Sequence, residues 1–264
     1  MKPVWLILLG LLSFLLSALF SAPVDRLHAW LLPDQSQVRA LGLSGTLSSG
    51  STALIRARNK PVLKEISWEL QKLHLLLGRA SFDVSGGADG MLLDGSVSAV
   101  PSGAVSLKDF RLSSPLGALA ASAGFAFVPA IGAIGADIQH LKLRDQWPVS
   151  ADGVVTAHKL SWKLGRDPIL LGDYTARLEN ETGGIRADIS TLSGPLEVTG
   201  DAHVNHDRSW ELNLKMKPRP DAEAMVGNLV RNMGQPDAQG WYHLKRRGGQ
   251  ATATQAAGIE ALTQ

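Results

Sequence analysis

Apolar and polar residues alternate one by one through much of the chain from residue 42 onward, and this period of two constrains the fold most. It places every apolar side chain of a strand on one face and every polar side chain on the other. The clearest run, residues 210–217, alternates Trp210, Leu212, Leu214 and Met216 with Glu211, Asn213, Lys215 and Lys217. Residues 66–71, 80–85 and 185–190 repeat the pattern. We therefore predict a mainly β chain, with antiparallel strands arranged as an open sheet or a sandwich.

Glycine-containing pairs interrupt the alternating runs at intervals typical of hairpins, and the chain holds 27 glycines. Such pairs favour tight turns because glycine adopts positive φ without steric cost. We predict turns at Gly86-Gly87, Asp94-Gly95, Asp152-Gly153, Gly183-Gly184 and Gly200-Asp201.

Two stretches depart from the alternation. A helix is predicted over 221–233, because Asp221 follows Pro220 as a helix-capping residue and Gly234 ends the run. Its apolar stripe is expected to pack on the sheet, and comprises Met225, Val226, Leu229, Val230 and Met233. Residues 116–136, rich in Ala and Gly, are predicted to form a loose loop or a glycine-softened strand pair; Pro129 and several glycines argue against a second membrane span there.

A short internal echo indicates two tandem β units. Ser67-Trp68-Glu69-Leu70 is followed ten residues after its tryptophan by Gly78, and Ser161-Trp162-Lys163-Leu164 is followed at the same interval by Gly172. We place the first unit at residues 24–145 and the second at 146–248, either extending one sheet or stacked as two halves. Residues 249–264 are predicted to be a disordered tail.

The segment Val4 to Ala22 carries no charge over 19 residues. As a helix it is about 28 Å long, close to the thickness of a bilayer core. We predict a retained single-pass anchor within residues 1–23, with the N-terminus and Lys2 in the cytoplasm and the rest of the chain carried across the membrane. A cleaved secretory signal fits less well, because Phe20 lies where small residues are needed. Residues 27–32, which include Trp30, either lie on the outer surface of the membrane that holds the anchor or begin the β core.

Composition excludes several function classes. The net charge of +2, from 26 basic and 24 acidic residues, argues against nucleic acid as a partner. The absence of cysteine removes disulfides, thiolate catalysis and cysteine metal ligands, and is compatible with an oxidising compartment.

No residue pattern predicts catalysis. The tightest cluster, His203 and His206 with Asp207, would hold a metal only if the chain turned there, and a solvated turn is the favoured interpretation. We find no nucleophile elbow, phosphate loop or paired-histidine zinc motif. The sequence therefore predicts no catalytic, cofactor-binding or metal-binding residues. The basic run 245–247 is interpreted as a solvated terminus of the last strand, or as a contact for an anionic lipid or partner.

A family resemblance rests on the order of short motifs. After the predicted anchor come Leu31-Leu32-Pro33, Gly45-Thr46 with Gly50, Ser67-Trp68 with Leu76-Leu77-Gly78, Gly194-Pro195-Leu196 with Gly200, Lys217-Pro218-Arg219-Pro220, and Met233-Gly234-Gln235-Pro236-Asp237 with Gly240. Together, from Val4 to Gly248, they resemble protein N of the bacterial type II secretion system. One departure is the turn at 45–50, which lacks the tryptophan that the family tends to carry before its final Ser-Gly.

The resemblance implies a bitopic inner-membrane protein with a periplasmic β domain, no catalytic residues, and a part in exporting folded proteins. We therefore expect a scaffold that contacts other secretion-system proteins in the inner membrane and periplasm through open strand edges. The alternative is a lipid-binding or lipid-transfer protein, which would need an unbroken apolar groove along the sheet.

Overall fold

The computed structural model describes residues 38–57, 60–75, 78–88, 90–100, 103–122, 127–163, 167–232 and 234–249. The predicted anchor 4–22, residues 27–32 and the tail beyond 249 lie outside these ranges. Among the helices that the structure describes, none is long and apolar enough to cross a membrane.

The strands form one antiparallel sheet of 13 strands, and their order in the sheet is their order in the chain. They are β1 (Val38–Gly45), β2 (Ser49–Ala57), β3 (Lys60–Leu70), β4 (Ala80–Ala88), β5 (Met91–Ala99), β6 (Val105–Pro115), β7 (Ala130–Arg144), β8 (Trp147–Trp162), β9 (Ile169–Glu181), β10 (Gly184–Ser193), β11 (Leu196–Asn205), β12 (Ser209–Pro218) and β13 (Tyr242–Gly249). The mainly β prediction is confirmed. All four alternating runs lie in strands, namely β3, β4, β10 and β12.

Because every neighbouring pair is antiparallel, successive connections alternate between two ends of the sheet. We call the end at which β1 begins the proximal end, and the other the distal end. Three short helices occupy connections: α1 (Lys72–Leu75) at the distal end, and α2 (Leu116–Ser122) and α3 (Ala224–Arg231) at the proximal end. The chain therefore enters the sheet at the same end as its two longer helices.

A single sheet continues across the predicted boundary between the two units at residues 145–146. Strand β7 pairs with β8 there, from Arg144↔Trp147 to Ala130↔Trp162. The two tryptophans of the echo both lie near the C-terminal ends of strands, β3 and β8, but the likeness is lost after them. Leu75 ends α1, whereas its counterpart Ile169 begins β9.

Four of the five predicted glycine turns are wrong. Only Gly183-Gly184 lies at a hairpin, between β9 and β10; the other four pairs lie inside strands β4, β5, β8 and β11. At Gly95 the reason is a close approach between strands, since a Cβ there would lie 2.6 Å from the Cα of Phe110 on β6. A glycine inside a strand often marks a place where another backbone approaches closely.

Residues 116–136 also differ from the prediction. Leu116–Ser122 form α2 and Ala130 begins β7, so neither a loose loop nor a strand pair describes the segment. Helix α2 contacts β3, β6 and β7. Alanine, the strongest helix former, accounts for the helix despite Gly117.

The cross-strand register carries one apolar face from β1 to β13. Leu41 is opposite Leu54 near one edge, Leu112 is opposite Leu93 in the middle, and Met216 is opposite Val198 near the other edge. The reverse face carries Ser, Asp, Arg and Lys. The period of two is interrupted at bulges, for example between Ile138 and His140, and resumes after them, so that one face stays apolar across the sheet.

Burial is deepest where α3 covers the apolar face. Val226 and Val230 of α3 are 1% and 0% exposed, and they pack with Leu171, Tyr174, Leu196, Val198 and Met216 from β9, β11 and β12. The Tyr174 hydroxyl lies 2.8 Å from the carbonyl oxygen of Leu171 and 3.0 Å from that of Leu196. Burial raises the pKa of Tyr174 to about 12. The helix predicted over 221–233 exists but is shorter, and its N-cap is Glu223, without a side-chain cap, rather than Asp221.

Candidate interaction surfaces

The two outermost strands each pair on one side only in the part of the chain that the structure describes. β1 pairs with β2, and β13 pairs with β12. Each is eight residues long. An unpaired edge presents a row of N–H and C=O groups that can bond a strand from another chain.

The β13 edge is strongly basic. Lys245, Arg246 and Arg247 lie inside the strand, opposite Asn213, Leu212 and Glu211 of β12. They therefore lie within the last strand, which continues to Gly249, and contact with an anionic lipid or partner at this terminus stays a prediction. Lys245, Arg246 and Arg247 are exposed, and with Glu211 and Asn213 they line a depression of about 390 Å³. The combination of open backbone groups and positive charge suits an acidic extended segment.

Asp237 fixes the loop that immediately precedes β13. Its Oδ1 accepts hydrogen bonds from the backbone N–H groups of Gln239 and Trp241, each at 2.9 Å. Its Oδ2 lies 2.8 Å from Nε2 of His243 on β13. These hydrogen bonds, that from His243 foremost, lower the pKa of Asp237 to about 2. In the sequence, Asp237 stands within the motif Met233-Gly234-Gln235-Pro236-Asp237. The signal for its loop role is an Asp followed by a turn glycine, here Gly240 at φ 83°.

Lys217 of β12 also holds the loop that precedes β13. The ammonium group of Lys217 donates to the carbonyl oxygen of Gln239 at 2.8 Å, and lies 5.8 Å from the centre of the Trp241 ring. Further along β13, the Trp210 indole covers Gly248, where a Cβ would lie 2.9 Å from the ring. An aromatic side chain over an edge glycine protects a position that has no side chain to pack. Both ends of β13 are thus fixed by β12.

The sequence-predicted histidine cluster does not converge on one point. His203 lies between two carboxylates, with Nδ1 3.3 Å from Glu181 Oε2 and Nε2 3.1 Å from Asp201 Oδ2. His206 instead places Nε2 3.0 Å from the carbonyl oxygen of Val149, and Asp207 accepts from the N–H and hydroxyl of Ser209. Within the described ranges, no group of three or more His, Asp or Glu residues is arranged to hold a metal ion.

Two other histidines, His74 and His158, lie in alternating segments of the sequence that predict outward strand positions. His158 is exposed on β8, with Nδ1 3.9 Å from Asp173 Oδ1. His74 lies in α1 and not in a strand.

Comparison with known proteins gives one match. A model of the family "Type II secretion system (T2SS), protein N" matches residues 36–245. The matched range runs from just before β1 into β13. No curated protein and no solved structure matches this chain.

Proposed function

Because this chain belongs to the type II secretion system protein N family, we propose that it is an inner-membrane-anchored periplasmic scaffold of that machinery, with no catalytic activity of its own. Family membership implies a role in type II secretion, an envelope-associated location and contact with other components of the system. The single-pass anchor at residues 4–22 and the scaffold role are the finer parts of the proposal. The observation that carries the scaffold role is the pair of open edges, β1 and β13, at the two sides of the sheet.

The basic edge is the stronger candidate for contact. Its backbone groups offer hydrogen bonds along eight residues, and Lys245, Arg246 and Arg247 select a partner segment with acidic side chains. Asp237 fixes the loop before β13, and Trp210 covers Gly248 near the end of the strand. The strand is therefore ordered before a partner binds, which lowers the entropy cost of adding another strand.

The test is crosslinking in cells, with a photo-reactive residue at Arg247 of β13 or at Glu211 of β12. The two positions are opposite each other in the register and both are exposed, so they differ mainly in distance from the edge. We expect adducts to a discrete secretion-system protein from position 247 and at most weak adducts from 211. Equal adducts from both positions, or none from 247 in cells with an active secretion system, would contradict edge binding.

A second candidate function is lipid binding, favoured by the continuous apolar face. The residues of the buried cluster come from β9, β11, β12 and α3 in the described chain. On other strands some apolar residues are buried, such as Ile66 and Ile138, whereas Leu41 is 44% exposed. A face of this kind suits acyl chains. A photo-reactive residue at Leu41 or Leu212 distinguishes the functions, because phospholipid adducts at both support lipid binding and protein adducts support the scaffold.

A further inference from the structure

Large hydrophobic side chains exposed on the described residues are concentrated at one end of the sheet. Nine such residues are exposed. Six of them lie at the proximal end, and we call them the apolar rim: Leu92, Phe127, Ile131, Leu170, Leu192 and Met225. Single exposed apolar residues are ordinary, but their concentration at one end calls for a partner.

Four rim residues sit at equivalent places on different strands. Leu92, Ile131 and Leu170 are the second residues of β5, β7 and β9, and Leu192 is the last but one of β10. Each of these strand ends is at the proximal end because the connections alternate. Their exposed fractions are 68%, 42%, 50% and 55%, respectively.

Two rim residues, Ile131 and Leu170, do not belong to the apolar face. Both are opposite Ser161 in the register, while the adjacent Trp162 is opposite Ala130 and Ile169. Trp162 and Ile169 pack against the buried cluster, so Ile131 and Leu170 point to the reverse face. The core therefore does not explain these two side chains.

Residues in two connections, Met225 and Phe127, add exposed apolar side chains at the same end. Met225 of α3 is 51% exposed although its neighbour Val226 is buried, and Phe127, three residues before β7, is 71% exposed. Two hairpins at the distal end are instead polar, namely Asp145-Gln146 and His206-Asp207-Arg208. Leu73 of α1 and Trp210 are the distal exceptions, at 79% and 38% exposure.

The chain also enters the sheet at the proximal end. β1 begins at Val38, and the predicted anchor ends at residue 22. The intervening segment spans at most about 50 Å when fully extended. A membrane anchor would therefore keep the apolar rim within reach of the bilayer surface.

We propose that the apolar rim inserts into the interfacial region of the bilayer that holds the anchor, so that the sheet stands on the membrane by its proximal end. This inference rests on the proposed membrane anchoring. Apolar side chains that enter the interface contribute in proportion to their buried area, and several on one rim define an orientation that a flexible tether alone does not.

The cysteine-free sequence permits a direct test on the full chain. Single cysteines replace Leu92, Leu170 or Leu192 on the rim, and Leu73 at the distal end is the matched control. Each is labelled with an environment-sensitive fluorophore, and the protein is reconstituted in phosphatidylethanolamine–phosphatidylglycerol vesicles containing lipids spin-labelled near the headgroup. We expect quenching by about half or more at the three rim positions and almost none at Leu73.

Vesicle flotation in the same samples separates this proposal from the anchor. Protein that floats with the vesicles but shows no quenching at the rim overturns rim insertion and leaves the anchor standing. Equal quenching at Leu73 and at the rim also overturns it, because the sheet then has no preferred end. Protein that does not float overturns both.

Discussion

Asp237 shows how one exposed carboxylate can organise an edge strand. It gathers two backbone N–H groups of its own loop and His243 of β13. Because its folded-state pKa of about 2 lies below the ordinary 3.8, the stabilisation is fully present above pH 3.8 and is lost as the pH falls towards 2. A carboxylate in this position therefore supports the loop throughout the neutral range.

We predict that Asp237→Asn lowers the melting temperature at pH 7, because the charge-assisted hydrogen bond to His243 is lost. The gap between the native protein and the variant should close as the pH approaches 2, measured by thermal unfolding across a pH series. Asp221→Asn, an exposed aspartate before α3, is the control and should leave the melting temperature unchanged. A gap that persists undiminished to pH 2 would refute the assigned role of the carboxylate.

At the scale of elements, α3 is the one helix among those the structure describes that buries side chains completely. Val230 is 0% exposed between the helix and the sheet. We predict that Val230→Ala destabilises the protein by about 1–3 kcal/mol, through lost transfer free energy and a residual cavity. Met225→Ala, on the exposed side of the same helix, should cost far less. Denaturant unfolding of the two variants measures the difference, and equal losses would show that α3 does not dock through Val230.

The sequence predicted these elements to different degrees, for physical reasons. The period of two located β3, β4, β10 and β12, because half-buried strands must alternate. The apolar stripe likewise located α3. The predicted turns at interior glycines were wrong because Gly95 and its counterparts allow a neighbouring backbone to approach. That neighbour is known only once the register is known. The loop role of Asp237 was also hidden, because its partner His243 is defined by the fold and not by a motif.

On the scale of the whole molecule, we expect the protection of backbone amides from hydrogen exchange to differ between parts of the sheet. The buried cluster joins α3 to β9, β11 and β12, while β2–β4 are interior strands without members in it. We predict that amide hydrogens of β9–β12 exchange more slowly than those of β2–β4 in the full chain, measured by hydrogen exchange with mass spectrometry. Comparing interior strands only removes the effect of the open edges. Uniform exchange across both groups would mean that the cluster does not dominate stability.

The sequential strand order has a consequence for how the protein is made. Every strand pairs with the strand just before it, so no contact within the sheet has to wait for a distant part of the chain, and the loop-closure entropy of each step is small. A chain delivered from its N-terminus can build the sheet hairpin by hairpin, each new strand covering the edge left by the last. In the described chain β13 is the last strand to join, so the sheet is completed by a strand that places positive charge on its unpaired edge.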